Sequence, residues 1–395
     1  MLISKNRKAW IKASALLTVL CFLALGAVIQ AAAQEIPRYK VDASWPKELP
    51  NNWILWNSTG LVVDQNDHIW VINRPRQVSM ADAGAAQTPP ISECCIPAPS
   101  LVQFDADGNF LKAWGGPGYV PNWPILEHGL FIDGGGNFWI GGTFQPSANQ
   151  DLLTAPIPKP KELLGDRHLL KFSPDGKQLL MIGHPSNAPT NNQDTTILGA
   201  PSEMFVDDEA NEVYIADGYQ NRRVVVYDSI TGAFKRGWGA YGMPLSQIDN
   251  GRPPAHDPAV PAKQFRGSVI SIDISVDGLV YVCDRGGDRI QIFTKQGKFV
   301  KEFLVHPKTL GTGSVWSTMF SRDPQQKYLY VADGVNGKIW ILNRDDGKEV
   351  GSIGHKGHQA GQFDQIERMA LDSKGNLYVT EVAPNTRLQK FVPEK

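Results

Sequence analysis

Five side chains in this sequence are of types that could bind an anion, ligate a metal or transfer a proton. An imidazole can ligate a metal or transfer a proton, and a phenol or carboxylate can act as a base. Guanidinium groups bind carboxylates. A fold that brings the five together would therefore have the parts of a functional site. They are His128 in EHGLFID, Tyr219 in DGYQNRR, Arg74 in VINRPR, Arg285 in CDRGGDR and Glu367 in QIERMAL.

Familiar catalytic motifs are absent from the sequence. It has no Gly-Lys-Ser/Thr phosphate loop, no Gly-x-Ser-x-Gly elbow and no Cys-x-x-Cys pair. His355 and His358 have the spacing of a metal-binding pair, but no Cys or further His lies near them in the sequence. The polar, Gly-rich run GHKGHQAGQF around them favours a solvated loop instead.

A hairpin that recurs six times must position the candidate side chains. Each copy is a short apolar strand, a tight turn rich in Asp, Gly and Asn, and a second strand carrying an aromatic residue, which is the pattern of a β-hairpin. The last two intervals, from Tyr281 to Tyr330 and on to Tyr378, are 49 and 48 residues, close to one propeller blade of roughly 40–50 residues. The copies are LVVDQNDHIWV (61–71), LFIDGGGNFWI (130–140), MFVDDEANEVYIAD (204–217), IDISVDGLVYVCD (272–284), MFSRDPQQKYLYVAD (319–333) and MALDSKGNLYVTE (369–381).

The repeat predicts an all-β fold, a six-bladed β-propeller that uses residues 34–395 as a single domain. A second hairpin follows most copies, so each blade should have four strands. Blade six has only LQKFV after its first hairpin, and we expect residues 38–41 (RYKV) to supply the missing strand and close the ring. Surface loops should account for the wider intervals. These insertions are 79–99, 144–165, 185–196 and 243–261.

Equivalent positions of the six innermost strands should form rings around a central channel. Imidazole is unusual at such a strand entrance, and for His128 a structural hydrogen bond and a ligand or proton-transfer role are both open. Glu367 lies in an alternate blade and could share its site. Ile270, in the third alternate blade, cannot coordinate, so a metal centre with three protein ligands looks incomplete. The ring five residues before each turn is Thr59, His128, Ser202, Ile270, Trp316 and Glu367.

The runs EHGLFIDGGGNFWIGG, DGYQNRRVVVYD and CDRGGDRIQIF resemble peptidyl-α-hydroxyglycine α-amidating lyase, a six-bladed propeller of the NHL-repeat type. The resemblance spans nearly the whole chain after its leader. It extends to secreted bacterial proteins that share runs such as SWPKELPNNWIL, SECCIPAP and GSVWSTMFS.

The resemblance implies a zinc site of which this chain keeps one histidine. In that lyase three histidines from alternate blades hold zinc, and the first matches His128. The other two positions hold Ile270 and Glu367 here, so zinc would depend on an incomplete site with His128 and Glu367 as ligands. A calcium-binding Asp of the lyase corresponds to Arg368.

The resemblance also implies that the anion-binding part of the lyase site survives. The base tyrosine of the lyase matches Tyr219, and two site arginines match Arg74 and Arg285. To act as a base, Tyr219 would need a lowered pKa, which nearby arginines could supply. The alternative is structural: Arg74, Arg223 and Arg285 follow strands, where arginines tie neighbouring blades through carboxylates such as Asp217.

The first 33 residues predict a secretory signal peptide. Four Lys and Arg residues between positions 5 and 12 precede an apolar run over 13–29, and Ala at 31–33 forms a small-residue cleavage site. An uncleaved membrane anchor is the alternative, since the run is nearly long enough to span a bilayer. We expect a periplasmic or secreted protein with no membrane partner after cleavage.

Charge and cysteine content limit the partners. The formal charge is −1, and removing the four leader cations takes it to −5, which gives no electrostatic case for nucleic acid. In an oxidising compartment the adjacent Cys94 and Cys95 could form a disulfide, and two reduced thiols are the alternative. Cys283 lies in an apolar strand and is expected to be a core residue.

Three functions stay open at this stage, because propellers host many unrelated activities. The favoured one is a propeller that binds a small anionic molecule or peptide at the channel mouth. The second is an active lyase of the amidating type. The third is a scaffold for a protein partner, indicated by the hydrophilic loops 144–165 and 243–261.

Overall fold

The computed structural model describes residues 36–251, 253–254 and 256–394, so the predicted leader lies outside the described residues. Six four-stranded antiparallel sheets surround a channel, and the first strand of each contacts the first strands of its two neighbours. The predicted all-β six-bladed propeller is therefore confirmed.

Each blade runs from an innermost to an outermost strand. Blade one comprises β3 (Ser58–Val63), β4 (Ile69–Asn73), β6 (Leu101–Phe104) and β7 (Phe110–Trp114). Blade two comprises β8 (Glu127–Ile132), β9 (Phe138–Gly142), β10 (His168–Phe172) and β11 (Gln178–Gly183). Blade three comprises β12 (Glu203–Asp207), β13 (Glu212–Asp217), β14 (Arg223–Asp228) and β15 (Phe234–Trp238). Blade four comprises β16 (Val269–Ile274), β17 (Leu279–Asp284), β18 (Arg289–Thr294) and β19 (Phe299–Leu304). Blade five comprises β20 (Ser317–Phe320), β21 (Tyr328–Asp333), β22 (Lys338–Asn343) and β23 (Glu349–Ile353). Blade six comprises β24 (Gln365–Leu371), β25 (Leu377–Val382), β26 (Leu388–Pro393) and β1 (Tyr39–Asp42).

The remaining elements are short and lie mainly in the insertions and loops. Two two-residue strands, β2 (Trp53–Ile54) and β5 (Ile96–Pro97), pair in parallel. Among the described residues there is one α-helix, α1, over Pro146–Asn149. The 3-10 turns are Pro75–Gln77, Gly84–Ala86, Gln150–Leu152, Ala240–Gly242, Leu245–Gln247 and Arg285–Gly287. No helix in the described part of the chain is long and apolar enough to cross a membrane.

The N-terminal strand closes the ring as predicted, one residue further along than expected. β1 pairs antiparallel with β26, from Tyr39 opposite Pro393 to Asp42 opposite Lys390. Its apolar residues Tyr39 and Val41 pack against the core cluster of blades five and six. The outer edge of β26 would otherwise present unpaired backbone groups to solvent.

In three blades the recurring aromatic residue bonds the turn of its own hairpin. In blade two the indole Nε1 of Trp139 donates to Asp133 Oδ2 at 3.0 Å, and in blade six the hydroxyl of Tyr378 donates to Asp372 Oδ2 at 3.0 Å. The rings themselves are buried. In blades one, two and six the repeat therefore couples a turn carboxylate to an apolar ring in the core between blades.

The cysteines and the histidine pair are now placed. Cys94 and Cys95 form a disulfide with each other, which resolves the open alternative, and Cys283 is buried as predicted. His355 and His358 are exposed, in agreement with the solvated-loop interpretation.

Candidate functional site

The candidate residues lie at one end of the channel because of strand pairing. The start of each inner strand pairs with the end of the second strand, as Ser58 does with Asn73 and Val269 with Asp284. Residues one or two positions after the second strands therefore reach the level of His128. They are Arg74, Tyr219 and Arg285.

The guanidinium of Arg368 crosses the channel at this level. Its Nη1 donates to the carbonyls of Trp316 at 3.3 Å and Glu367 at 3.2 Å. Its Nη2 donates to the carbonyls of Ser202 at 3.4 Å and Ile270 at 3.1 Å. These four carbonyls come from four of the six positions assigned to one ring, which agrees with the alignment of those four repeats.

Arg368 is the buried charge of this centre, and sequence reasoning did not assign it a role in the site. Its Nε lies 3.1 Å from Glu203 Oε1, and its side chain is 3% exposed. Burial opposes its charge, but Glu203 and Glu367 raise the pKa of Arg368. A signal was available, because Arg368 is the only Lys or Arg in the six described inner strands.

His128 connects the channel wall to Tyr219. Its Nδ1 lies 2.6 Å from the Ser202 carbonyl, which can only accept, so Nδ1 carries a proton. Burial, reinforced by the nearby charges of Arg74 and Arg368, lowers the pKa of His128 to about 4. The ring is therefore neutral at pH 7, and Nε2 accepts a hydrogen bond from the Tyr219 hydroxyl at 3.1 Å.

Glu367 is ionised beside this neutral ring. Burial opposes its charge, but the positive charges of Arg368 and Arg285 hold the pKa of Glu367 below its ordinary value. Its Oε1 lies 3.1 Å from His128 Nε2 and has no hydrogen-bond partner among the described residues. Two acceptor atoms thus converge, and an added donor group would satisfy both.

Tyr219 lies between this pair and the outer arginines. The ring centres of Tyr219 and His128 are 5.3 Å apart. The Arg285 guanidinium lies 5.9 Å from the Tyr219 ring centre and 4.6 Å from the Trp316 ring centre. Burial raises the pKa of Tyr219 even though Arg285 opposes the shift. The lowered pKa required of a catalytic base is not present, so at neutral pH the phenol acts as a hydrogen-bond donor.

Arg74 and Arg285 are held by neutral groups. Arg74 donates from Nε to the Glu127 carbonyl at 2.7 Å and from Nη2 to Thr143 Oγ1 at 3.0 Å. Arg285 donates from Nη2 to Ser268 Oγ at 3.2 Å. Within the described residues neither forms an ion pair with a carboxylate inside 4.0 Å.

Other arginines have the structural role instead. Arg223 Nε lies 2.8 Å from Asp217 Oδ2, and Arg289 Nε lies 2.9 Å from Asp284 Oδ2, with all four side chains almost fully buried. The ion pair of Arg223 lies within blade three, and its guanidinium also donates to the Asn192 carbonyl of the preceding loop, so Arg223 has a structural role but does not tie neighbouring blades through a carboxylate. Arg74 and Arg285 differ from it in having guanidinium groups without a carboxylate partner among the described residues.

The described residues do not fit the zinc site implied by the resemblance. Ile270 is fully buried in an apolar cluster that includes Cys283, and its side chain offers no ligand atom. Among the residues described here, no three His, Cys, Asp or Glu side chains are grouped to hold a metal. Arg368 adds a permanent positive charge beside Glu367, which would repel a dication.

Replacing Ile270 with His is expected to raise zinc affinity at least about tenfold, because a third ligand would join His128 and Glu367. Tyr219 packs against the cluster of Ile270 and also contacts His128, which places residue 270 nearby. Zinc titration against a competing chelator measures the change, and Ile270→His with His128→Ala is the control that should return to the wild-type value. Equal affinity in all three proteins would show that residue 270 does not reach the site.

The fold and its site define a class of protein, a six-bladed β-propeller with a polar channel mouth, and the chain is similar to NHL repeat-containing proteins. No family model matches the chain. NHL repeat-containing protein 3 of mouse is 23% identical over 377 residues, which cover 91% of this chain and 85% of the mouse protein. The human protein of that name is 24% identical over 319 residues, 75% of this chain and 73% of the human one. A solved streptogramin B lyase shares the fold, with a TM-score of 0.51 and 11% identity over 91% of this chain and 98% of that chain.

Proposed function

We propose that the channel mouth around Arg74, Tyr219 and Arg285 binds a small anionic molecule or the carboxylate of a peptide. The observation that carries the proposal is the Arg285 guanidinium, which stacks on Trp316 and has no carboxylate within ion-pair distance among the described residues. An arginine fixed on an aromatic ring is pre-oriented for a carboxylate. The charge of Arg74 lies close enough to affect the pKa of both His128 and Tyr219.

The groups below the arginines favour a ligand that also carries a hydroxyl or amine. Glu367 Oε1 and His128 Nε2 are acceptors 3.1 Å apart, and the Tyr219 ring separates them from Arg285. A ligand bound by its carboxylate to Arg285 would satisfy this pair with its donor group once Tyr219 turns aside. The proposed site therefore recognises an anion on the outside and a hydrogen-bond donor on the inside.

A periplasmic or secreted location is part of this proposal. The disulfide between Cys94 and Cys95 supports it, because disulfides persist in oxidising compartments. The predicted leader supports it from the sequence.

Binding of N-benzoylglycine and of its uncharged amide to the full chain tests the proposed function. We expect the carboxylate to bind more tightly than the amide, and Arg285→Gln to weaken its binding roughly 10- to 100-fold, because a charge-assisted hydrogen bond is lost. Calorimetric titration gives both affinities. Arg322→Gln removes the same charge from an exposed turn and should bind as the wild type does. Equal binding of acid and amide, or an unaffected Arg285→Gln variant, would refute the proposal.

A second candidate is a lyase acting on peptidyl-α-hydroxyglycine. The contact of His128 with both Tyr219 and Glu367 favours it, since these positions match those of the amidating lyase. The apolar Ile270 and the raised pKa of Tyr219 count against it. Zinc analysis of the purified protein, with an assay for cleavage of peptidyl-α-hydroxyglycine, separates the two functions, and the binding function expects neither zinc nor cleavage.

A further inference from the structure

The opposite end of the channel opens into a cavity of about 560 Å³. Its wall includes the residue two before the turn in each inner strand, and all six of these side chains are partly exposed. Five of the six are apolar and one is a carboxylic acid. The six are Val62, Phe131, Phe205, Asp273, Met319 and Ala370.

Asp273 is the exception in this wall and has little compensation for its charge. Its Oδ2 accepts a hydrogen bond from Thr318 Oγ1 at 2.8 Å, and no cation lies within 4.0 Å of it in the described part of the chain. Burial and the neighbouring Glu203 raise the pKa of Asp273 to about 8, and Arg368 opposes the shift. A carboxyl group that is held in an apolar wall, where its charged form is disfavoured, marks a candidate ligand site.

A second carboxyl group lies at the base of the same cavity. Glu203 Oε1 is 3.1 Å from Arg368 Nε, while its Oε2 is buried without a hydrogen-bond partner among the described residues. Arg368 is also shared with Glu367. One guanidinium therefore faces three carboxyl groups, and the base of the cavity lacks positive charge.

We propose that this cavity binds a small hydrophobic cation, an organic ammonium with an aromatic or alkyl body. The ammonium would supply the missing positive charge beside Asp273, and the apolar wall would cover the body. Phe131 and Phe205, whose ring centres are 5.0 Å apart, add aromatic faces that attract organic cations. The cavity volume is in the range of small-molecule sites.

The alternative ligand charges fit less well. An anion would meet the Glu203 carboxylate at the base, and a neutral molecule would gain nothing from the ionisation of Asp273. The rim does not reverse this preference, because Arg322 and Asp323 are adjacent there and offset each other. The cavity lies at the other end of the channel from Arg285, so the result of its test does not depend on whether the anion site exists.

Titration with benzyltrimethylammonium, benzyl alcohol and phenylacetate tests the proposal on the full chain. We expect the cation to bind at least about tenfold more tightly than the other two, and Asp273→Asn to remove that advantage. The Asn side chain is isosteric with the protonated acid and can still accept from Thr318, so the variant should fold, which its melting temperature checks. Asp345→Asn removes the same charge from an exposed position and should leave binding unchanged.

The pH dependence gives a second readout that a merely structural Asp273 would not produce. The probe does not titrate, so its affinity should rise roughly tenfold per pH unit from pH 6 towards 8 and level off above, as Asp273 ionises. The charged or titratable groups packed around Asp273 are Glu203, Arg368 and Cys283, and burial raises the pKa of Cys283 so that it stays a neutral thiol. Equal binding of the three probes, an unaffected Asp273→Asn variant or a flat pH profile would each overturn the proposal.

Discussion

Replacing Arg368 with Met is expected to lower the free energy of unfolding by about 3–5 kcal/mol, because removal of one partner leaves buried charges without compensation. Arg368 donates to four backbone carbonyls of the channel ring and lies 3.1 Å from Glu203. Met fills most of the volume but satisfies none of these acceptors. Denaturant unfolding followed by tryptophan fluorescence measures the loss.

Three further variants separate charge from packing. Arg322→Met removes an exposed arginine and should cost less than about 0.5 kcal/mol. Arg368→Lys keeps the charge with fewer donors and should fall between wild type and Met. Adding Glu203→Gln to Arg368→Met should recover part of the loss, because one uncompensated carboxylate is then removed. An Arg368→Met protein as stable as the Arg322→Met control would show that the network does not stabilise the ring.

The stability deficit should also depend on pH. With Arg368 present, the pKa of Glu367 in the folded state is held below its ordinary value, so its contribution is present at neutral pH and is lost only as pH falls towards that lowered pKa. Without Arg368 the folded-state pKa values of Glu203 and Glu367 should rise, and protonation on acidification then favours the folded state. The difference in stability between wild type and Arg368→Met should therefore narrow between pH 7 and pH 5.

Most of the fold could be predicted because the information is local and repeated. Each hairpin has its own turn signal and its own aromatic, such as Trp139 bonded to Asp133, and alternation along a strand fixes which side chains face the channel. Counting back from the turns was therefore enough to place His128, Ile270 and Glu367 at one depth. The closing strand was predictable because the C-terminal segment supplies only three strands of blade six, and the fourth must come from elsewhere in the chain.

The chemistry of the site was less predictable, because it depends on contacts across the channel. The direction of the Arg368 guanidinium, and its reach to carbonyls from several blades, is not encoded in any local pattern. The pKa of Tyr219 depends on whether burial outweighs the charge of Arg285, and sequence cannot weigh the two. The same limit applies to Asp273, whose position in the repeat is evident but whose apolar neighbours come from other blades.

The channel has a polarity that unites the two proposed sites. Arg74 and Arg285 lie at one mouth without carboxylate partners among the described residues, Arg368 and Glu367 lie at the middle, and carboxyl groups lie at the other mouth. The arginine mouth therefore keeps positive charge, whereas the other mouth gains negative charge as Asp273 ionises. An anion at one end and a cation at the other are the ligands that this distribution favours.

Removal of the closing strand is expected to destabilise the propeller by about 3–5 kcal/mol, from the apolar burial and hydrogen bonds that β1 contributes. A chain that begins at Ala43 lacks β1, whereas one that begins at Arg38 retains it and serves as the control. The shorter chain loses the packing of Tyr39 and Val41 and exposes the whole outer edge of β26. We also expect it to self-associate, since an open edge strand pairs with other chains.

A synthetic peptide of residues 36–44 should restore the stability of the chain that begins at Ala43, because added strands bind an open sheet edge through their backbone. The hydroxyls of Tyr39 and Tyr330 are 3.3 Å apart in the closed ring, so the peptide with Tyr39→Ala should restore less. Denaturant unfolding at saturating peptide, with a scrambled peptide as the control, measures the recovery. If the two truncated chains unfold at the same denaturant concentration, β1 does not stabilise the ring. If they differ but the peptide has no effect, the loss comes from the chain connection and not from strand pairing.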